Sequence, residues 1–264
     1  MQFVELNGII QHYDVRGPED GPAVVFSNSL GTDFRLWEQV LPLLPDGLRV
    51  IRYDTRGHGL SSAPGGDYFM GDLVADVAAL IEHLKVKDCV FVGLSVGGLI
   101  AQGLAAERPE LLRAAVLSNT AAKIGTPAMW AERMEAVRAG GIAALEEGIL
   151  QRWFSGRWRR ENPVTLAGWR HMLVRTPVAG YLGCSAAIAE TDLFESTARL
   201  SLPVLAIAGS EDGSTPPDLV RETADLIAGA RFRLIRHAGH LPCVEQPGEY
   251  ARVLTDFLRE VGHV

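Results

Sequence analysis

Phe91-Val92-Gly93-Leu94-Ser95-Val96-Gly97-Gly98 decides the fold, because it sets a serine between glycines where an apolar run gives way to a helix-like segment. Val90 to Leu94 reads as a buried strand, and Leu99 to Arg108 continues as a helix rich in alanine and leucine. A serine at such a junction has the form of a nucleophile elbow. The sharp strand-to-helix turn forces it into a strained backbone conformation, and small flanking residues let neighbouring segments pass close by. Its hydroxyl then stands at the carboxyl end of a sheet, beside helix N-terminal amides. A bare G-x-S-x-G also occurs in glycine-rich turns; the strand before it and the helix after it give this one its meaning.

Outward from the elbow, short β-rich runs alternate with helical patterns. The runs are Ile9 to Val15, Ala23 to Ser27, Arg49 to Tyr53, Val90 to Leu94, Ala114 to Ser118, Val204 to Ala208 and Phe232 to Ile235. This alternation predicts an α/β fold: a mostly parallel, mixed sheet with helices on both faces. Little room for a crossover helix exists before Arg49, so the opening strands are expected to form a hairpin and make that edge of the sheet mixed. Between Asn119 and about Leu200 the spacing fails and amphipathic helices replace strands. Trp130, Met134 and Val137 share one helical face, as do Ile142, Leu145, Ile149 and Trp153. The expected organisation is a core domain of residues 1–120 and 200–264 with a helical lid, 121–199, over the carboxyl ends of the strands, where open α/β sheets bind ligands.

The bulk properties exclude several classes. With 264 residues, 47% of them hydrophobic, the chain fills a large core without staples. A net charge of −7 and a pI near 5.5 argue against a nucleic-acid surface and against general attraction to anionic membranes. Cys89, Cys184 and Cys243 are odd in number and widely spaced, which suggests neither a disulfide framework nor a metal site, but reduced thiols. The start, Met1-Gln2-Phe3-Val4-Glu5, lacks a basic region followed by an apolar run, and no later stretch stays apolar for a membrane span. A soluble, cytoplasmic protein is expected. The oligomeric state stays open.

A serine hydroxyl is a poor nucleophile at neutral pH, so Ser95 needs a general base within reach. His58, His237 and His240 stand on or after predicted strand ends. His240, in the loop Ala238-Gly239-His240-Leu241-Pro242 after the last strand, is the preferred base. His237 reads as a supporting group, and the His58 loop as a brace of the site. The histidine needs an acid to hold its tautomer and stabilise the imidazolium. Asp212 ends another strand and gives the order serine, aspartate, histidine; Glu211 is its rival, and either acid could simply make a turn or cap a helix. A tetrahedral oxyanion needs preorganised donors. The amide of Val96 is one candidate and that of Leu30, in Ser27-Asn28-Ser29-Leu30-Gly31, the other.

With these features in place, the chain resembles the α/β-hydrolase family nearly end to end, and within it the 3-oxoadipate enol-lactonases of aromatic catabolism, the β-ketoadipate pathway. The broadly shared segments are Arg52-Tyr53-Asp54-Thr55-Arg56-Gly57-His58-Gly59 and the elbow. The selective ones are Ser27-Asn28-Ser29-Leu30-Gly31-Thr32-Asp33, Asn119-Thr120-Ala121-Ala122-Lys123-Ile124, Trp130 with Arg133, Arg152-Trp153-Phe154, and the stretch around Gly180-Tyr181 and Ala186-Ala187. Many relatives have His-Gly where Ser27-Asn28 stands and methionine where Val96 stands; Leu182-Gly183-Cys184-Ser185 also departs. The resemblance implies hydrolysis of a small anionic lactone through an acyl-enzyme, with no metal and no organic cofactor. Rival readings are a carbon–carbon bond hydrolase of ring-fission products, a broad carboxylesterase, a perhydrolase, and, outside enzymes, a ligand receptor built on a hydrolase scaffold.

Arg152, Arg157, Arg159, Arg160, Arg170 and Arg175 face only Glu161 within their stretch, an inversion of the overall acidic balance. A solvated basic face accounts for most of them. One lid arginine turned inward would suit a substrate carboxylate, because a planar, permanently charged fork grips it with two bonds. Arg133 is preferred, since it shares a helical side with Trp130. Trp130 and Trp153 are expected either to wall the apolar part of the pocket or to pack in the core.

Overall fold

The computed structural model describes all 264 residues, Met1–Val264. In chain order the elements are β1 (Gln2–Leu6), β2 (Ile9–Arg16), β3 (Ala23–Ser27), β4 (Arg49–Tyr53), α1 (Met70–His83), β5 (Cys89–Leu94), α2 (Val96–Glu107) and β6 (Leu112–Ser118). A helical stretch follows: α3 (Pro127–Gly140), α4 (Glu146–Trp153), α5 (Gly156–Glu161), α6 (Pro163–Val174), α7 (Val178–Glu190) and α8 (Phe194–Thr197). The chain closes with β7 (Val204–Gly209), α9 (Pro217–Asp225), β8 (Arg231–Ile235), α10 (Pro242–Glu245) and α11 (Pro247–Glu260). The strands form one sheet in the order β1-β2-β4-β3-β5-β6-β7-β8, antiparallel between β1, β2 and β4 and parallel from there on.

Every residue of β3, β5 and β7 is buried, which requires cover on both faces and explains their near-continuous Val, Leu, Ile and Phe content. Part of that cover is aromatic: Trp37, in a 3-10 turn after β3, packs between the tilted rings of Phe26 of β3 and Tyr250 of α11 at centroid distances of 4.9 and 5.9 Å. Trp130, Ile149, Leu173 and Tyr181 of the helical stretch belong to the same apolar cluster as Val25 and Val92 of the sheet. The stretch therefore packs onto the sheet and has no separate core. No single helix is long and apolar enough to cross a membrane.

The N-terminal edge differs from expectation. The run at Ile9 does not pair with Ala23–Ser27; β2 lies between β1 and β4, and β3 inserts on the far side of β4. The hairpin is β1–β2, closed by Asn7 and Gly8 at φ 49° and 75°, with Leu6 opposite Ile9. Two positive-φ residues of that kind make the tight turn whose twist suits a hairpin. The short, largely exposed β1 carries a weak apolar alternation, which is why its signal is slight. The helix after the elbow begins at Val96, directly behind Ser95, and the second helical face of the insertion is split between a 3-10 turn, Ile142–Leu145, and α4.

Register sets where the site lies. Ser27 of β3 stands beside Gly93 of β5, Leu94 beside Ser118 of β6, Ser118 beside Ile207 of β7, and Gly209 beside Ile235 of β8. The loops leaving those strands all emerge at one edge of the sheet.

Candidate active site

Ser95 occupies φ 59°, ψ −115°, a conformation that costs a residue with a Cβ about 1–3 kcal/mol. The neighbours hold it there. Its N–H donates to the Ser118 carbonyl at 2.9 Å, and its own carbonyl accepts from Gly98 N–H at 2.9 Å and from the Thr120 hydroxyl at 2.7 Å. The flanking glycines are steric necessities: a Cβ on Gly93 would overlap the Gly97 carbonyl, and one on Gly97 would meet the Ser27 carbonyl oxygen at 2.5 Å. Ser95 lines a cavity of about 330 Å³ that it shares with Leu30, Trp130, Arg133, Arg152, Trp153 and His240.

His240 and Asp212 meet at this cavity. The His240 Nδ1 lies 2.9 Å from Asp212 Oδ2 and 3.0 Å from Oδ1, so Nε2 is the nitrogen left for the cavity. Asp212 also accepts from Asn119 Nδ2 (2.8 Å), the Thr215 hydroxyl (2.8 Å) and the N–H groups of Ser214 (2.7 Å) and Thr215 (3.0 Å). Burial pushes its carboxyl up, but the His240 charge and the hydrogen bonds from His240, Asn119 and Ser214 outweigh burial and hold it below its ordinary range. Glu211 points elsewhere, 4.0 Å from the exposed His237 ring, and neither of these lines the cavity. His58 is buried and accepts the Gly31 N–H at Nε2.

The Leu30 and Val96 amides donate to no acceptor in the protein. Val96 is the first residue of α2, where a helix leaves its N–H groups unpaired. Leu30 lies in a loop that is pinned at several points. Asn28 donates its side-chain amide to the Tyr53 carbonyl (2.7 Å), accepts from Trp37 Nε1 (2.8 Å), and gives its own carbonyl to Gly97 N–H (3.2 Å). Ser27 shares a 2.7 Å hydrogen bond with the Tyr53 hydroxyl. The Ser27-Asn28 pair thus fastens the loop to β4 and to α2.

Helices α3 and α4 supply the opposite wall. Trp130 and Trp153 are buried yet reach the cavity, so packing and lining are not alternatives for them. Trp130 donates its indole N–H to the Ile124 carbonyl at 2.7 Å. Arg133 lies over the Trp130 and Tyr181 rings at 5.1 and 5.6 Å and donates from Nε (3.0 Å) and Nη2 to the Tyr181 hydroxyl. Arg152 reaches the same cavity, whereas Arg157 and Arg170 are taken up by glutamates on the surface.

Asn119, Thr215, Arg152 and Glu245 contribute to the site without having been singled out for a role by the sequence. Asn119 had one signal, its position directly after a strand that ends beside the elbow. Glu245 accepts Gly239 N–H (2.6 Å), the Ser155 hydroxyl (2.5 Å) and Ser155 N–H (3.2 Å), tying the His240 loop to the start of α5. Burial pushes its carboxyl up against those hydrogen bonds.

A hydroxyl at an elbow, an imidazole held by a buried carboxylate, and unpaired amides are the parts that acyl transfer uses. The chain is 38% identical to 3-oxoadipate enol-lactonase 2 of Acinetobacter baylyi over 89% of its length and 88% of that protein, and 35% identical to enol-lactonase 1 of the same organism over 94% and 92%. It superposes on the crystal structure of the enol-lactonase from Burkholderia xenovorans with a TM-score of 0.95 at 38% identity, covering 98% of this chain and 100% of that one. A malate-bound thermophilic esterase from Thermogutta terrifontis superposes with a TM-score of 0.93 at 28% identity, each chain covered in full, 100% and 100%. Residues 24–253 match the alpha/beta hydrolase family, and with the eight-stranded sheet and the elbow in place the chain belongs to that family.

Proposed function

We propose that this chain is a serine hydrolase that opens 3-oxoadipate enol-lactone to 3-oxoadipate in aromatic catabolism. One observation carries the reading: Ser95 and His240 share their cavity with two arginines, Arg133 and Arg152, neither of which meets a carboxylate of the protein. An ester-cleaving set beside unneutralised cations suits an ester that also bears a carboxylate. The relatives named above point the same way.

Ser95 Oγ attacks the lactone carbonyl while His240 Nε2 takes its proton, and Asp212 stabilises the imidazolium. The amides of Val96 and Leu30 hold the oxyanion, each contributing on the order of 3 kcal/mol to lowering the barrier. Collapse of the intermediate breaks the ring carbon–oxygen bond; the enol oxygen leaves, takes the proton from His240, and the enol relaxes to the ketone. Water, deprotonated by His240, then cleaves the acyl-enzyme and releases the second carboxylate. Arg133 anchors the substrate's carboxylate, Trp130 and Trp153 wall its apolar part, and residues 121–199 act as a lid over a core of 1–120 and 200–264. No metal or organic cofactor takes part, and the reaction belongs in the cytoplasm.

The test is to mix purified protein with enzymatically generated enol-lactone and follow its loss beside muconolactone and neutral aryl esters. Rapid, preferential consumption of the enol-lactone supports the reading. An inert lactone, or faster cleavage of aryl esters, rejects it.

A further inference from the structure

Arg133 and Arg152 reach the cavity from different helices, and only Arg133 is tied down, by the Tyr181 hydroxyl and two aromatic faces. Arg152 makes no side-chain hydrogen bond: its carbonyl accepts Gly213 N–H at 3.4 Å, and its Cα and Cγ each stand 3.2 Å from where a Gly213 Cβ would be, so the end of α4 and the stem of this side chain are pressed against the turn that carries Asp212. Its guanidinium has neither a hydrogen-bond acceptor nor a carboxylate partner, and burial and the charge of Arg133 both lower its pKa. Glu132, exposed, is the one carboxylate among the lining residues. Asp212, behind the wall, is committed to His240, Asn119 and Thr215. A single anionic group on Arg133 therefore leaves the second cation unneutralised.

We infer that Arg152 is a second anion-gripping group, that the cavity is built for a ligand with two carboxylates, and that a dicarboxylate is held more tightly than a monocarboxylate of the same length. The inference rests on the proposed reaction in one respect. Hydrolysis turns a neutral ester linkage into a carboxylate, so one negative charge is added inside the cavity; the lactone's charge occupies Arg133, and the newly formed one meets Arg152.

The experiment uses the Ser95→Ala protein and calorimetric titration at low salt with adipate and hexanoate, which share a six-carbon chain and differ by one carboxylate. Adipate is expected to bind roughly tenfold to a hundredfold tighter, the range of one charge-assisted contact. Adding Arg152→Met, which keeps an unbranched apolar stem, should remove that preference while hexanoate affinity stays, and unchanged hexanoate binding reports an intact pocket. Equal affinities for the two acids, or a preference that persists in Arg152→Met, overturn the inference. Wild-type turnover of the enol-lactone is measured in parallel. Turnover without an adipate preference overturns the inference alone, and an Arg152-dependent preference without turnover supports it while removing the lactone as substrate.

Discussion

The Gly31 N–H donates to His58 Nε2 across 2.9 Å, and this bond fastens the loop that carries Leu30 to the loop after β4. The other ring nitrogen, Nδ1, lies 3.2 Å from the Arg56 carbonyl, so the ring is neutral with its proton on Nδ1. Burial lowers the His58 pKa from 6.5 to about 4. Between those values the unfolded chain binds a proton that the native state refuses, so stability falls as pH falls across that window. The loss amounts to roughly 3 kcal/mol by pH 4. His58→Gln keeps an acceptor and a donor but does not titrate; urea midpoints at several pH values should therefore decline less steeply for this variant. Parallel declines for the two proteins would show that His58 does not set the acid limb.

Ser95 supplies the reacting oxygen and also sits in a strained conformation, and the two roles separate by substitution. Ser95→Ala should lower kcat by several orders of magnitude, and adding Asp212→Asn should change little further, because the groups act as a unit. Ser95→Gly should be equally inactive but more stable than Ser95→Ala by about 1 kcal/mol, since glycine accepts a positive φ without strain. Thermal denaturation of the two variants decides this, and equal stabilities would mean that the elbow is not strained.

The parts of the fold that sequence reading captures are those whose signal is local. The apolar runs that became β2 to β8, the glycines at 93 and 97 and the order of Ser95, Asp212 and His240 all belong to this group. What it lacks depends on partners distant in the chain. Asn119 and Asp212 are 93 residues apart and Ser155 and Glu245 are 90 apart, and a window of periodicity carries no information about either pair. The same holds for Arg152, which the sequence offers both among the basic residues of the lid and in the selective stretch Arg152-Trp153-Phe154, and which the fold sets beside Gly213 on the cavity wall. At β1 the local signal existed, in Asn7-Gly8, but the flanking strand was too exposed to show a clear alternation.

Glu245 joins two segments, so its removal should affect both. Glu245→Ala strands the N–H groups of Gly239 and Ser155, at about 1–3 kcal/mol for each unsatisfied buried group, and frees the backbone next to His240. Glu245→Gln keeps an acceptor oxygen and should be much milder. Because burial raises the native pKa of Glu245, the native state holds its proton at a pH where the unfolded chain has released it. Stability from this group therefore declines as pH rises above the ordinary carboxylate range, and Glu245→Gln should remove that decline. Denaturation of both variants, with kcat/KM measured alongside, tests the pair; an alanine variant as stable and active as the parent would exclude a joining role.

Arg133 is presented to the cavity by Tyr181, whose hydroxyl accepts from the guanidinium while its ring lies beneath it. The proposed contact with a substrate carboxylate is charge-assisted and largely shielded, and removing one partner of such a pair costs roughly 2–5 kcal/mol. Arg133→Ala should therefore depress kcat/KM for the carboxylate-bearing lactone by that amount, and for a neutral aryl ester far less. Tyr181→Phe keeps the ring and loses only the acceptor that orients the fork, so it should reduce the same discrimination by a smaller factor without a large change in aryl ester turnover. If both variants lose activity equally on the two substrates, Arg133 supports the packing of α3 against α7 and does not anchor the carboxylate.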